Sequence, residues 1–299
     1  MSFSEMNEIE LVELPAHRVF EELGYQTLEG KDVTSERQSY NDVILTARLD
    51  RKIRELNPDL PEIVYETTIN QVKSLSNPST IQNNQEFHQM LLAGVKVPYQ
   101  SEGQTKYYAV RLVDFENPQN NDFAAVRQLI VLQHKQKRLD HVLFVNGLPL
   151  VILEYKDPMN PSADIVAAHK QLGIGNYQKH IPKIFNYNAF LVISDKTYAR
   201  YGTMTAPFER FSDWNDPEDP DRTVANRLEM MQRLMLNKET LLELTQNYLE
   251  YESGGKRTVK KIAQQHQYLG AKKAVERTLD VFSQKDENRI GVIWHTTGS

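Results

Sequence analysis

The stretch LDHVLFVNGLPLVILEYK, residues 139–156, constrains this chain more than any other. Two β-rich runs flank Asn146-Gly147, the residue pair that most readily adopts the positive φ angles of a tight hairpin turn, so a β-hairpin is predicted here. Val142, Leu143, Leu150, Val151, Ile152 and Leu153 are apolar whichever face they take, as expected of strands covered on both sides. Three charges enter this apolar unit: Asp140, Glu154 and Lys156. Side chains alternate along a strand, so Glu154 and Lys156 share a face and Tyr155 points the other way. Whether Asp140 joins them is a question of parity. A two-residue Asn146-Gly147 loop pairs Asp140 with Leu153 and puts the two carboxylates on opposite faces. A three-residue loop with Gly147 in a bulge pairs Asp140 with Ile152 and makes Glu154 its diagonal neighbour. An odd loop or an equivalent bulge is therefore predicted.

Two carboxylates and a lysine in one place have a chemical reading. The carboxylates, Asp140 and Glu154, are the hard oxygen ligands that Mg²⁺ takes while it also binds a substrate phosphate. A lysine beside them, Lys156, can orient an attacking water and offset the charge that builds on the phosphorus centre. Phosphodiester hydrolysis follows. On spacing alone, the same residues also suit the solvated end of a strand and a strand-entry aspartate. Just upstream, Lys135, Lys137 and Arg138 form a basic turn that can neutralise DNA phosphates, or can simply be a solvated turn.

The rest of the chain reads as α/β. Residues 15–23 and 42–56 repeat apolar residues at helical spacing, the first with Pro15 in its opening turn. Short strands are expected between 78 and 123, at 189–195 and at 198–203. Residues 161–180 and 221–250 read as helical, the second as one long tract in which Met230, Met231 and Met235 are core filler. Ser253-Gly254-Gly255 breaks that tract and suggests a domain boundary, giving 1–252 and 253–299. The second piece holds a helix, a strand RIGVIW and the final HTTGS. At 299 residues the chain is long enough for one large domain and part of another. With no cysteine, any metal must sit on oxygen or imidazole. The formal charge of −5 argues against a uniformly basic nucleic-acid coat but allows a local groove. No apolar run approaches a membrane span, and the expected location is the cytoplasm.

RLDHVLFVNGLPLVILEYKDP and IPKIFNYNAFLVISDKTYARYGTMTAPFERFSDW resemble the R subunit of type I restriction-modification enzymes, whose nuclease domain belongs to the PD-(D/E)xK superfamily. The resemblance implies a mixed central β-sheet flanked by helices. It gives Asp140, Glu154 and Lys156 the roles already read from the hairpin and makes Glu13 an additional acidic position. It also implies a Gln-x-x-x-Tyr motif after the catalytic strand, from which this chain departs, since Gln171 and Tyr177 stand two residues too far apart. HQYLGAKKAVERT and GVIWHTTGS are similar to the opening of a superfamily 2 helicase, a RecA-like motor. By that likeness His266 and Gln267 lie where related motors meet adenine, and Gly298-Ser299 begin a phosphate loop that lacks its lysine. The chain by itself is then expected not to hydrolyse ATP. What the resemblance implies as a whole is a bacterial or archaeal endonuclease that uses Mg²⁺, cuts double-stranded DNA after ATP-driven translocation, and works with methyltransferase (M) and specificity (S) subunits. Two rival readings are a non-catalytic module docking the motor to those subunits and a stand-alone nuclease.

Overall fold

The computed structural model describes residues 3–101, 103–160, 164–216, 226–254 and 257–283. The chain opens with helix α1 (Phe3–Glu8), which runs through a π-turn at Ile9–Glu13 into α2 (Leu14–Glu22). The helix thus begins well before the predicted Pro15. The cause is local: proline has no N–H for the carbonyl of Leu11 and its ring crowds that turn, so the turn before it widens, with the Leu14 N–H donating to Ile9 O.

Strand β1 (Gln26–Glu29) follows, then helices α3 (Thr46–Leu56), α4 (Glu62–Lys73) and α5 (Thr80–Ala93). A two-stranded ribbon, β2 (Val95–Ser101) and β3 (Gln104–Val110), precedes the central strands β4 (Phe123–Leu132), β5 (Gln136–Val145) and β6 (Leu148–Tyr155). After them come α6 (Ile165–Leu172), α7 (Tyr177–His180), α8 (Pro182–Phe185), β7 (Phe190–Ser194), β8 (Ala199–Gly202) and β9 (Ser212–Asp213). The main sheet has the order β1-β4-β5-β6-β7-β8-β9, parallel at β1/β4 and β6/β7 and antiparallel elsewhere. This is the expected mixed sheet between helices. From Leu139 and Leu148 onward, β5 and β6 are buried at every position, as their continuous apolar sequence requires.

The predicted single tract over 221–250 is instead two helices and the start of a strand. Helix α9 (Arg227–Leu234) is capped by the Asn226 side chain, which accepts from the Glu229 N–H, and α10 (Lys238–Asn247) by Asn237, which accepts from the Thr240 N–H. A second N-cap inside an apolar periodicity starts a new helix rather than continuing the old one. Met230, Met231 and Met235 are core residues as expected. The ribbon β10 (Leu249–Gly254) and β11 (Arg257–Ile262) then forms, so the sequence-based division after 252 falls inside a hairpin. That hairpin is anchored by Lys260, whose Nζ donates to Asn84 Oδ1 (2.8 Å) and Asn188 O (2.7 Å). Helix α11 (Gln265–Ser283) closes the described chain. RIGVIW, HTTGS and with them Gly298 and Ser299 lie outside the described residues.

The hairpin turn has Asn146 at φ 53° and Gly147 at φ 81°. Asn146 is buried and fully used: its amide donates to Leu112 O and Asn121 Oδ1, and its Oδ1 accepts from the Asp122 N–H. Gly147 lies beneath the start of α3, where an added Cβ would sit 2.5 Å from Leu45 O. Gly147→Ala is expected to cost about 2–4 kcal/mol, combining left-handed strain with a clash against backbone. Urea denaturation would show it as a lower midpoint at unchanged slope.

Candidate active site

The turn is a two-residue one, with Val145 paired to Leu148, so an uninterrupted ladder would have separated Asp140 from Glu154. A β-bulge intervenes. Phe144 pairs with Pro149 but Leu143 with Val151, leaving Leu150 as the extra residue. The expected Asp140–Ile152 pairing is corrected: Ile152 pairs with Val142 and Leu153 with His141, so Asp140 comes directly opposite Glu154. Pro149 supplies the reason, since a central strand tolerates proline only where the ladder is already interrupted. The face that carries Asp140, Glu154 and Lys156 looks toward Tyr177. The other carries His141 and Tyr155 and packs on His17 and Phe20 of α2.

Asp140 Oδ2 accepts the Tyr155 backbone N–H at 2.7 Å. Lys156 Nζ donates to Glu154 Oε1 (2.8 Å) and to Tyr155 O (2.5 Å). Glu154 is wholly buried, and among the described residues its Oε2 has no hydrogen-bond donor. Burial and the adjacent Asp140 carboxylate push the Glu154 carboxyl well above its usual range. Asp140 is also raised by burial, against the pull of Lys156 and the Tyr155 N–H. Burial alone would lower the Lys156 ammonium, but Glu154 and Asp140 hold it above its ordinary value. It therefore stays charged at neutral pH.

Glu13 stands beside Asp140. Its carboxylate accepts both Gln128 Nε2 contacts (2.8 and 2.7 Å) and pairs with Arg127 at 3.3 Å. Gln128 is held at φ 56° in the middle of β4, at the one step where the ladder to β5 opens, opposite Asp140. Left-handed backbone in a non-glycine strand residue is strained, and here the strain turns the amide toward the acidic centre. A fourth carboxylate, Glu8, is close as well. Oxygens of Glu8, Glu13 and Asp140 all lie within 4.8 Å of one another. Glu8, Arg127 and Gln128 were not read from sequence. Glu8 and Glu13 are five residues apart, which in a regular α-helix sets them about 140° apart. Pro15 was the one available sign that the helix is irregular there.

Gln171 and Tyr177 do meet despite their spacing: Gln171 Nε2 donates to Tyr177 Oη at 2.8 Å. No bulge restores a regular motif. Helix α6 ends, the chain turns through Gly173–Asn176, and α7 restarts at Tyr177. Tyr177 donates to Arg138 O (2.9 Å), and Lys137 Nζ sits over its ring. Lys135 and Arg138 are exposed. His134 and Lys135 donate backbone N–H groups to His180 O, so Lys135, Lys137, Lys179 and His180 form one basic surface; burial and these lysines lower the His180 imidazole. Gln267 lies elsewhere, in the first turn of α11, lining a cleft of about 870 Å³ with Gln264, Tyr248 and Arg210. His266 is on the same turn.

The donors at the centre are all oxygens, four carboxyls converge, and one buried carboxylate oxygen is unserved. That set fits a hard divalent cation. The chain is thus an α/β protein with an acidic, cation-ready centre on its central hairpin. Comparison with known proteins narrows this class. The family model of the type I restriction enzyme R protein N terminus matches residues 5–210. A type I restriction enzyme HindI endonuclease subunit from Haemophilus influenzae is 36% identical, over 98% of this chain and 29% of that protein. A Methanocaldococcus jannaschii protein, provisionally named type I restriction enzyme MjaIXP endonuclease subunit, is 29% identical over 99% of this chain and 30% of its own length. This chain belongs to the type I restriction enzyme R protein N-terminal family, and it spans less than a third of these relatives' length.

The raised carboxyls have a consequence for the metal-free protein. Glu8 and Glu13 are each pushed from 4.5 to about 7, chiefly by burial and then by Asp140. The folded state therefore holds these protons more tightly than the unfolded chain. Their contribution to stability is full below about pH 4.5 and is lost as the pH rises through about 7. In EDTA, Tm is expected to fall between pH 5 and 7.5, and Glu13→Gln to flatten that fall; scanning calorimetry across the range checks it.

Proposed function

We propose that this chain is the endonuclease end of a type I restriction subunit and hydrolyses DNA phosphodiester bonds with Mg²⁺. The observation that carries the reading is the bulge-aligned pair Asp140 and Glu154 with Lys156 bonded to Glu154, at the mouth of a buried hairpin. Asp140 and Glu154 would hold the cation, which when bound would supply positive charge at the scissile phosphate and acidify an attacking water. The protein's own groups account for the rest. Asp140 is held in place by the Tyr155 N–H. The Lys156 ammonium, fixed by Glu154 and the Tyr155 carbonyl, stays protonated and offsets charge on the phosphate oxygens. Glu13 extends the acidic wall. Gln171 and Tyr177 act as positioning residues that fix the Arg138 carbonyl and so the strand leading to Asp140.

Double-stranded DNA is the substrate we infer. Lys135, Lys137 and Arg138, with Lys179 beside them, present positive charge next to the acidic centre and would hold the backbone on either side of the cut. We further propose that the nuclease unit, expected from the sequence to end at 252, runs on through the β10–β11 ribbon that Lys260 anchors, and that the residues after the ribbon open a RecA-like motor domain. Its ATP site would include Gln267, Gly298 and Ser299 and would be complete only in a longer subunit that also binds M and S subunits in the cytoplasm. The support is the likeness of HQYLGAKKAVERT and GVIWHTTGS to such motors, and the greater length of the relatives. Among the described residues no helix is long and apolar enough to cross a membrane.

Calorimetric titration with Mn²⁺ tests the site without the motor. Saturable binding that is lost in both Asp140→Ala and Glu154→Ala supports the nuclease; binding indifferent to both favours a non-catalytic docking module. Lys156→Ala is expected to keep Mn²⁺ binding yet cut DNA cleavage by the full subunit complex about 10²–10³-fold. Lys135→Ala with Lys137→Ala is expected to weaken DNA binding equally for all sequences and to reduce the log–log salt slope by about 2.

A further inference from the structure

Lys260 is only 2% exposed, in a place where stability alone gives a lysine no role. Among the described residues no carboxylate pairs with its amine, which burial pushes well below its ordinary value. Nζ donates to Asn84 Oδ1 and Asn188 O and lies 5.3 Å from the centre of the Tyr251 ring. Neither acceptor depends on it. Asn84 Oδ1 also takes the Tyr251 hydroxyl at 2.6 Å, and Asn188 O also takes Asn84 Nδ2 at 2.7 Å. A lysine amine buried without a carboxylate is costly, and a methionine of similar reach would leave both acceptors served.

What the amine does reach is the bulge. Asn188 O is held by Lys260 and Asn84, while the Asn188 side-chain amide donates to Phe190 O (2.7 Å) and Leu150 O (3.2 Å). The next residue, Ala189, donates its N–H to the same Leu150 carbonyl at 2.7 Å. Leu150 is the extra residue of β6, and β7 pairs with β6 from the following position on, Phe190 with Val151. Residues 188–190 are thus a clamp on the one residue that brings Asp140 opposite Glu154. Of the two side chains on Asn188 O, Asn84 belongs to α5 and Lys260 to the β10–β11 ribbon. The ribbon has separate backbone ties, since the Lys260 carbonyl accepts the Thr203 and Thr205 hydroxyls and its N–H donates to Thr205 Oγ1. It therefore stays docked without the amine.

We propose that Lys260 is a positioning residue for the acidic centre, acting through Asn188 and Leu150 to hold the bulge that sets Asp140 against Glu154. Its effect on the reaction rests on the nuclease reading; its effect on the bulge does not. A chain of buried hydrogen bonds in a close-packed interior passes a shift on rather than absorbing it. The ribbon is thereby part of what aligns the site, from the far end of the Asn188 clamp.

Lys260→Met in the full chain, compared with Asn188→Ala and with the double variant, tests the proposal by amide hydrogen exchange and Mn²⁺ calorimetry. The Tyr155 N–H donates to Asp140 Oδ2 and so reports the alignment with no metal present. In Lys260→Met the melting temperature is expected not to drop, while the Ala189 and Tyr155 amides exchange at least about tenfold faster and those of β4 do not change. Mn²⁺ affinity is expected to fall about tenfold. The double variant is expected to go no further than Asn188→Ala alone. Unchanged Tyr155 exchange in Lys260→Met overturns the proposal, as does faster exchange with the parent's Mn²⁺ affinity, or a double variant whose effects simply add. A lower melting temperature with faster exchange throughout the sheet makes Lys260 a structural anchor and also overturns it. Faster Tyr155 exchange with Mn²⁺ bound by none of the chains, the parent included, keeps Lys260 as a positioning residue and overturns the nuclease reading.

Discussion

The bulge at Pro149-Leu150 is the constraint on which the site depends. It corrects the parity of a two-residue turn and sets Asp140 across from Glu154 on a strand pair buried on both faces. Because the pleat repeats every two residues, the presence of one extra residue decides which face each later side chain takes. Without it Glu154 and Lys156 would project into the layer occupied by His141, Phe20 and His17, and Asp140 would be left alone.

Burial then sets the chemistry. In water these carboxylates would be ordinary; where the first helix meets the central hairpin they are desolvated and crowd one another, which raises Glu8, Glu13, Asp140 and Glu154 together. Lys156 gains from the same surroundings, because the charges that disfavour one another favour it. The arrangement is unstable as a set of bare charges and suited to a cation, which is how perturbed groups collect at sites that do chemistry.

Around that centre the scaffold spends local irregularity. The left-handed Gln128 faces Asp140 and reaches Glu13; the π-turn before Pro15 brings in Glu8; the broken helix between Gly173 and Asn176 lets Tyr177 reach both Gln171 and the Arg138 carbonyl. Each departs from regular structure where regular structure would miss the site. Gly30 shows how tightly one departure is accommodated: an added Cβ there would meet Gln128 O at 2.3 Å.

The sequence by itself determined the hairpin, its Asn-Gly turn, the α/β class and the trio Asp140, Glu154 and Lys156, because continuous apolar runs, turn chemistry and charges inside an apolar run are all local signals. Family likeness added Glu13, Gln171 and Tyr177 but not how the last two could meet across six residues. Tertiary structure alone decided the rest. Parity called for an odd loop or a bulge, and the structure supplies the bulge at Leu150; the π-turn before Pro15 and the positive φ of Gln128 leave no mark in local periodicity, because they are selected by what packs across the sheet. The apparent helix over 221–250 failed for a related reason, since apolar spacing persists through Asn237 while a side-chain cap restarts the helix. Asp140, Glu8 and Glu13 stand far apart in the chain or off-phase in the helix, and only the packing of α1 and α2 along β4–β6 makes them one acidic centre.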